Sequence, residues 1–366
     1  MSLIVTFLGK GGSGRTTMAI AAAKKLAQLG SRVLLVGQDP SPAWNLLLGA
    51  SAETVPREIA SNLAAVRLLS TVMLEQNWEQ IKELEAQYLR SPTLKTVYGQ
   101  ELGILPGMDE ALALDALREY DKSGKYDVIL YDGAGDIATL RMFGIPEIAS
   151  WYARRFQKVL TESDLGKALS PFVQPIASAV LSGSWNLENL VEQPQNRAAD
   201  LFEAGKQALA DPNRVTAYLV TTEDPAAIAT AKYLWGSAQQ IGLAVRGVLF
   251  NQAQASDAVA EQFSPLAVTA LPKRRERDWQ PLCDALPDFR QGVSVAQPTA
   301  IDLEAGQVRV FLPGFAKNQV KLTQYGPEIT IEAGDQRHNI NLPPPLRGQP
   351  VTGAKFQEGY LIISFF

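Results

Sequence analysis

LIVTFL (residues 3–8), GKGGSGRTT (9–17), MAIAAAKKLAQLG (18–30) and RVLLVGQDP (32–40) follow one another as strand, glycine-rich loop, helix and strand. Leu3 to Leu8 is a near-continuous apolar run, the pattern of a parallel strand covered on both faces. Gly9, Gly11, Gly12 and Gly14 let the backbone turn tightly with its N–H groups aimed at an anion, and the loop opens into an electropositive helix N-terminus at Thr16 and Thr17. The usual phosphate loop reads G-x-x-x-x-G-K-[ST], with lysine on the outer phosphates and the hydroxyl on magnesium. Here the same spacing reads Gly9, four residues, Gly14, Arg15, Thr16. Arg15 keeps the charge but presents a planar fork in place of a compact ammonium. The competing reading, a glycine-rich turn without nucleotide, leaves the flanking strand and helix unexplained.

Composition removes several chemistries. The 366 residues suffice for two domains and a large core, and the net charge of −4 gives no electrostatic footprint for nucleic acid. The run Lys273, Arg274, Arg275, Glu276, Arg277 reads as a solvated loop. Cys283 is the single cysteine and His338 the single histidine, so one chain lacks the material for a Cys/His zinc site, a disulfide framework or a Ser-His-Asp triad. A lone cysteine is more often a buried small hydrophobe than a nucleophile. No apolar run approaches the roughly 18 to 20 residues that span a bilayer, and the apolar N-terminus is a strand, not a signal peptide. A soluble, cytoplasmic protein without stable membrane insertion is expected.

The strand Arg32 to Val36 runs into Gly37, Gln38, Asp39 and Pro40. Ligands of open α/β sheets sit beyond the carboxyl ends of the strands, so Asp39 is placed to orient or deprotonate an attacking water. It also suits a purely structural turn before Pro40. Residues 52 to 125 show helical patterning, as at Ile59, Leu63, Val66 and Leu69, or Trp78, Ile81, Leu84 and Tyr88. The strand Tyr126 to Tyr131 closes on Asp132, the expected partner of the phosphate loop that holds magnesium directly or through water. Gly133 and Gly135 then permit a switch-like movement. Strands at Val215 to Thr221 and Val245 to Phe250 flank a helix, Ala226 to Ile241. The alternation predicts an α/β fold, a P-loop NTPase with a doubly wound parallel sheet and a helical subdomain.

These residues carry a resemblance. Lys10, a second basic residue after the first glycine, is similar to the signature lysine of deviant phosphate loops, which reaches across a dimer interface to the partner's nucleotide. GKGGSGRTT, QDP (38–40), LPGMDEALAL (105–114), YDVILYDGAG (126–135), TLR (139–141) and FNQ (250–252) match in order. Residues 1 to about 290 resemble the ATPase family that contains the arsenite-pump ATPase and the guided-entry targeting factor for tail-anchored proteins. The resemblance implies ATP phosphates on Gly11, Gly12, Ser13, Gly14, Arg15, Thr16 and Thr17, with Mg2+ at Thr16. It implies a water-directing role for Asp39, a switch at Asp132, adenine contact by Asn251, and a homodimer sandwiching two ATP molecules, with Lys10 acting in trans.

Departures from that family are also legible. Its segment D-T-A-P-T-G-H-T is here DGAGDIAT, Asp132 to Thr139; the histidine after D-P-A is missing, with Trp44 nearby; the paired zinc-clamping cysteines are absent, so no zinc is expected. Leu165, Leu169, Phe172, Val173, Ile176, Val180 and Leu181 fall at helical spacing and suit either core packing or a groove for a hydrophobic client.

Near residue 287 the composition turns linker-like (PDFRQGVSVAQPTA) and the periodicity becomes alternating, which divides the chain into an ATPase domain, 1–290, and a second domain, 291–366. Short strands at Val308 to Leu312, Val320 to Tyr325, Ile329 to Ala333, Asn339 to Leu342, Val351 to Phe356 and Tyr360 to Phe365 predict a small all-β sandwich. Its closing A-x-x-x-x-G-x-L, Ala354 through Gly359 to Leu361, is similar to the α-crystallin domain of small heat-shock proteins. The chain ends on that strand, so only the sandwich and its apolar groove are expected, without an oligomerising tail. Both faces of Tyr360 to Phe365 are largely apolar, so the second face needs a partner domain or a client. Two functions remain open: an ATPase that grips a hydrophobic protein client as its dimer opens and closes, and a nucleotide-gated scaffold with little hydrolysis. A membrane-partitioning role is weaker, since such relatives end in an amphipathic helix.

Overall fold

The computed structural model of the chain describes residues 1–76, 78, 107–162, 194–254, 256–275, 278–291 and 295–366. Its larger sheet is built from β1 (Leu3–Leu8), β2 (Val33–Gly37), β3 (Arg57–Ala60), β4 (Leu63–Arg67), β5 (Val128–Asp132), β6 (Val215–Thr221), β7 (Val245–Asn251) and β8 (Ala267–Leu271). The strand order is β3-β4-β2-β5-β1-β6-β7-β8. The helices are α1 (Arg15–Gln28), α2 (Pro42–Leu48), α3 (Met108–Lys122), α4 (Ile137–Glu162), α5 (Pro194–Ala210), α6 (Pro225–Gln240), α7 (Asp257–Gln262) and α8 (Gln280–Ala285). β2, β5, β6 and β7 are buried at every position, as strands covered on both faces must be. No helix among the described residues is long and apolar enough to cross a membrane.

The expected doubly wound α/β fold is present, with two corrections. The sheet is mixed, because β3 pairs antiparallel with β4. Only Ser61 and Asn62 separate the two strands, with Asn62 at φ 60, and so short a link closes a hairpin but cannot make a parallel crossover. The helical reading of Ile59, Leu63 and Val66 fails at the same place. Leu63 and Val66 lie in β4, which pairs parallel with β2 from Val33↔Leu63 to Gly37↔Arg67. Spacings of three and four place apolar residues inward on a strand as well when both its faces are covered. Ile81, Leu84 and Tyr88, and the apolar set from Leu165 to Leu181, lie outside the described residues.

Close packing divides the chain into two compact units: Met1–Ile4, Leu26–Ala134 and Arg141–Ala208, and Val5–Lys25, Gly135–Leu140 and Leu209–Phe366. In the first, β2 lies between β4 and β5, and Arg32 holds Asp127 at 2.7 Å at the start of β5. In the second, Phe289 is fully buried, edge-on to Phe7 and Tyr218. Arg246 donates to the carbonyls of Phe289 (3.0 Å) and Gln291 (3.3 Å). The linker-like composition after residue 287 thus begins with an anchored segment.

The second unit also holds the C-terminal strands: β9 (Thr299–Asp302), β10 (Gln307–Phe311), β11 (Val320–Tyr325), β12 (Glu328–Ala333), β13 (Gln336–Asn341), β14 (Gly353–Gln357) and β15 (Tyr360–Ser364). They form two antiparallel sheets, β14-β15-β10-β9 and β11-β12-β13. Val308, Val310, Ile329, Ile331, Leu361, Ile363 and Phe365 share one core between them. The glycine of the closing motif, Gly359, follows Glu358 in a turn with φ 52 and 76, a left-handed pair that glycine makes cheap. On the other face of β15, Tyr360 stacks on Phe311 at 4.7 Å and Arg309 lies over its ring.

This sandwich is docked on α6. The Gln240 amide donates to the Ala333 carbonyl at 3.0 Å, and the Asp335 N–H donates to the Tyr233 hydroxyl at 3.2 Å. Trp235 meets Phe311 edge-on, and Tyr233 meets Phe315. Gly236, mid-helix, has no side chain because a Cβ there would overlap the Pro313 carbonyl and the Phe315 ring. Helix propensity alone makes Gly→Ala stabilising by about 1 kcal/mol. Overpacking against backbone reverses the sign, so Gly236→Ala is expected to destabilise by about 1–3 kcal/mol in urea unfolding. A gain in stability would show that the sandwich does not press on this helix.

Candidate functional site

In the second unit, the loop after β1 is held from behind and open in front. The Gly9 N–H donates to the Gly135 carbonyl at 2.9 Å, and a Cβ on Gly9 would overlap the Val220 carbonyl. The buried Asn251 amide nitrogen, at the end of β7, donates to the Ser13 carbonyl at 2.8 Å. It lies where a Cβ on Gly14 would sit. Gly12 and Gly14 take φ of 84 and 100, so both curvature and contact exclude side chains at Gly14. Gly11 and Gly12 are exposed, and a Cβ on either would meet nothing within 4 Å. That open, glycine-lined front at the start of α1 is the shape an anion cradle requires, and the donor set fits a phosphate. Thr16 and Thr17 lie half-buried in the first turn of α1, where hydroxyls suit a hard divalent cation. The Arg15 side chain and the Phe7 carbonyl both lie against Gly135, and Gly135 (φ 62) gives its N–H to the Thr139 hydroxyl at 2.8 Å.

Lys10 points to its own chain. Its ammonium is 3.4 Å from Asp224, and both side chains are about half exposed, 46% and 48%. Asp224 is the N-cap of α6 and accepts from the Ala226 N–H at 3.1 Å. That bond, foremost, and then Lys10 hold the Asp224 carboxyl below its usual value.

In the first unit, the ends of β2 and β5 carry the two carboxylates. Gly37 is paired with Asp132 across the strands, and the Gln38 N–H donates to the Asp132 carbonyl at 3.1 Å. The Tyr131 hydroxyl donates to the Gln38 side chain at 2.6 Å. Asp132 is buried, and its Oδ2 accepts from the Trp44 indole N–H at 2.8 Å. Asp39 is exposed; Oδ1 accepts from the Ser41 N–H (2.8 Å) and Oδ2 from the Ser41 hydroxyl (2.9 Å). The turn reading of Asp39 is therefore realised in this state, whatever it does with a substrate.

Lys10, Gly11 to Thr17 and Asn251 thus stand together in one unit, and Asp39 and Asp132 in the other. Ser41, Trp44, Asp224 and the anchoring bond of Asn251 were not singled out by spacing. The available signals were an Asp-Pro-Ser-Pro run, a tryptophan shortly after a strand-end glycine, and Asp-Pro opening a helix.

A family model described as anion-transporting ATPase matches residues 2–276, well over half of the chain. The chain belongs to the anion-transporting ATPase (ArsA) family. A second model, the HSP20-like domain found in ArsA, matches residues 305–365, the docked sandwich. A protein of Chlorobaculum tepidum, provisionally named an arsenical pump-driving ATPase, is 28% identical over 99% of this chain and 95% of its own. ATPase GET3 of Malassezia globosa is 26% identical over 67% of this chain and 70% of its own. ATPase get3 of Schizosaccharomyces pombe is 27% identical over 54% and 58%.

Asp224 yields a pH test. A carboxyl lowered on folding stabilises above its unfolded pKa, and that contribution is lost as pH falls through the folded value. Asp224→Asn should therefore be less stable than wild type at neutral pH, with the gap closing in acid below the usual carboxylate range. Unfolding midpoints measured across that range check it; a gap independent of pH would contradict the assignment.

Proposed function

We propose that the chain is a Mg2+- and ATP-dependent ATPase that works as a cytoplasmic homodimer and couples nucleotide turnover to binding of a hydrophobic protein client. The reading rests chiefly on the loop that is packed behind Gly9 and Gly14 and open in front of Gly11 and Gly12. Gly11, Gly12, Ser13, Gly14, Arg15, Thr16 and Thr17 would hold the phosphates, and Asn251 would face the base while it anchors the loop. Thr16 and Asp132 would hold magnesium, which neutralises charge on the transferring phosphoryl group. Asp39 would direct the attacking water after its carboxylate leaves Ser41. Lys10 would leave Asp224 to act on the partner's nucleotide, and an exposed ion pair costs little to break.

The client is proposed from likeness to the guided-entry relatives, with residues 1–290 as motor and 291–366 as a second domain. The docking on α6 supports a buttressing role for the sandwich over a free client groove. A second reading, a nucleotide-gated scaffold with little hydrolysis, is favoured by Arg15 lying against Gly135 and by Ser41 occupying both oxygens of Asp39.

Calorimetry and turnover separate them. Wild type should bind Mg·ATP and hydrolyse it, while Asp39→Asn should keep its affinity within about threefold and lose about 100-fold or more in turnover. Lys10→Ala should also hydrolyse poorly, and mixing it with Asp39→Asn should restore activity through hybrid dimers. Absence of Mg·ATP binding to wild type would overturn the nucleotide reading; binding without turnover would select the scaffold.

A further inference from the structure

The Trp44 indole is fully buried, and its N–H donates to Asp132 Oδ2 at 2.8 Å. Space for the ring exists only because Gly37 lacks a side chain: a Cβ there would overlap the indole, including its nitrogen. Strand pairing sets Gly37 opposite Asp132, so the ring crosses Gly37 to reach the carboxylate on the neighbouring strand. A hydrogen bond to a buried carboxylate is among the stronger kind.

The same indole terminates a short, stiff link. Between Asp39 and Trp44 stand Pro40, Ser41, Pro42 and Ala43. Both prolines fix φ, Ser41 ties both oxygens of Asp39, and Trp44 already belongs to α2. The two carboxylates at the ends of β2 and β5 are therefore joined by a covalent segment at one end and a hydrogen bond at the other.

We infer that Trp44 is a positioning residue: it fixes the Asp132 carboxylate and makes Asp132 and the Asp39 turn one coupled element. The inference rests on the proposed reading in which Asp132 meets the magnesium of bound nucleotide. Were Mg2+ held at Asp132, it would compete with the indole N–H for the carboxylate, and Trp44, α2 and the Ser41 clasp on Asp39 would loosen together. Packing alone explains a buried tryptophan, but it requires neither the N–H on the carboxylate nor a cation-dependent change at the ring.

The test uses the full chain labelled with 15N-tryptophan, whose six indole N–H signals are followed as ATP is added with Mg2+ or with EDTA. One slowly exchanging signal should shift with Mg·ATP and not with metal-free ATP. It should be absent from Trp44→Phe, which keeps an apolar ring and lacks the donor. In turnover, Trp44→Phe should need about tenfold more Mg2+ for half-maximal rate, with KM for ATP changed less than about twofold. Trp44→His, which restores a ring N–H, should recover part of that loss. If wild type binds Mg·ATP by calorimetry and no indole signal responds to the cation, the coupling is wrong even if neither variant folds. An unchanged Mg2+ requirement in a folded Trp44→Phe would likewise overturn it. Absence of Mg·ATP binding to wild type would instead remove the nucleotide reading beneath it.

Discussion

The phosphate loop depends on one close approach, the Asn251 amide seated on Gly14. Asn251 is buried at the end of β7, and its hydrogen bond to the Ser13 carbonyl curls the loop over the strand ends. The approach is possible only because Gly14 has no Cβ and tolerates a φ of 100. Gly9 fits against Val220 in the same way, so the β6 and β7 side of the sheet moulds the loop from behind while its front stays open. Without these contacts a loop so rich in glycine would sample many shapes, and ordering it would cost conformational entropy at each binding event.

The other recurrent device is a helix that serves two ends. α6 begins at Asp224, which caps it and pairs with Lys10, and its later residues Tyr233, Trp235, Gly236 and Gln240 carry the sandwich. One element thus touches the basic residue of the loop and the C-terminal sheets within a single compact unit. This arrangement explains why the sandwich's strand pattern read as having one apolar face too many. Part of that surface is spent on α6 and part on the Phe311–Tyr360 stack.

Much of the fold was legible because its strands bury both faces or alternate cleanly. β1, β6 and β11 were readable residue for residue, and α6 within one residue at each end. The hairpin of β3 and β4 was missed because two residues of turn carry little signal beside an apolar spacing that also suits a helix. β8 and β9 were missed because they are short and lie at sheet edges with mixed burial. In the candidate site, the glycines, Thr16 and the strand-end aspartates announce themselves by spacing. The indole on Asp132 and the Ser41 clasp on Asp39 do not, because they depend on side-chain directions that only the packed turn after β2 defines.

On the proposed reading this glycine-shaped loop cradles the nucleotide's phosphates, and its form depends on bare backbone at residue 14. The most direct measurement is the calorimetric affinity for Mg·ATP of Gly14→Ala beside wild type, on samples with matching circular dichroism. Wild type should bind, and the variant should bind about tenfold or more weakly, since a Cβ there must displace Asn251 and strain the turn. Equal affinity in a folded Gly14→Ala protein would contradict it.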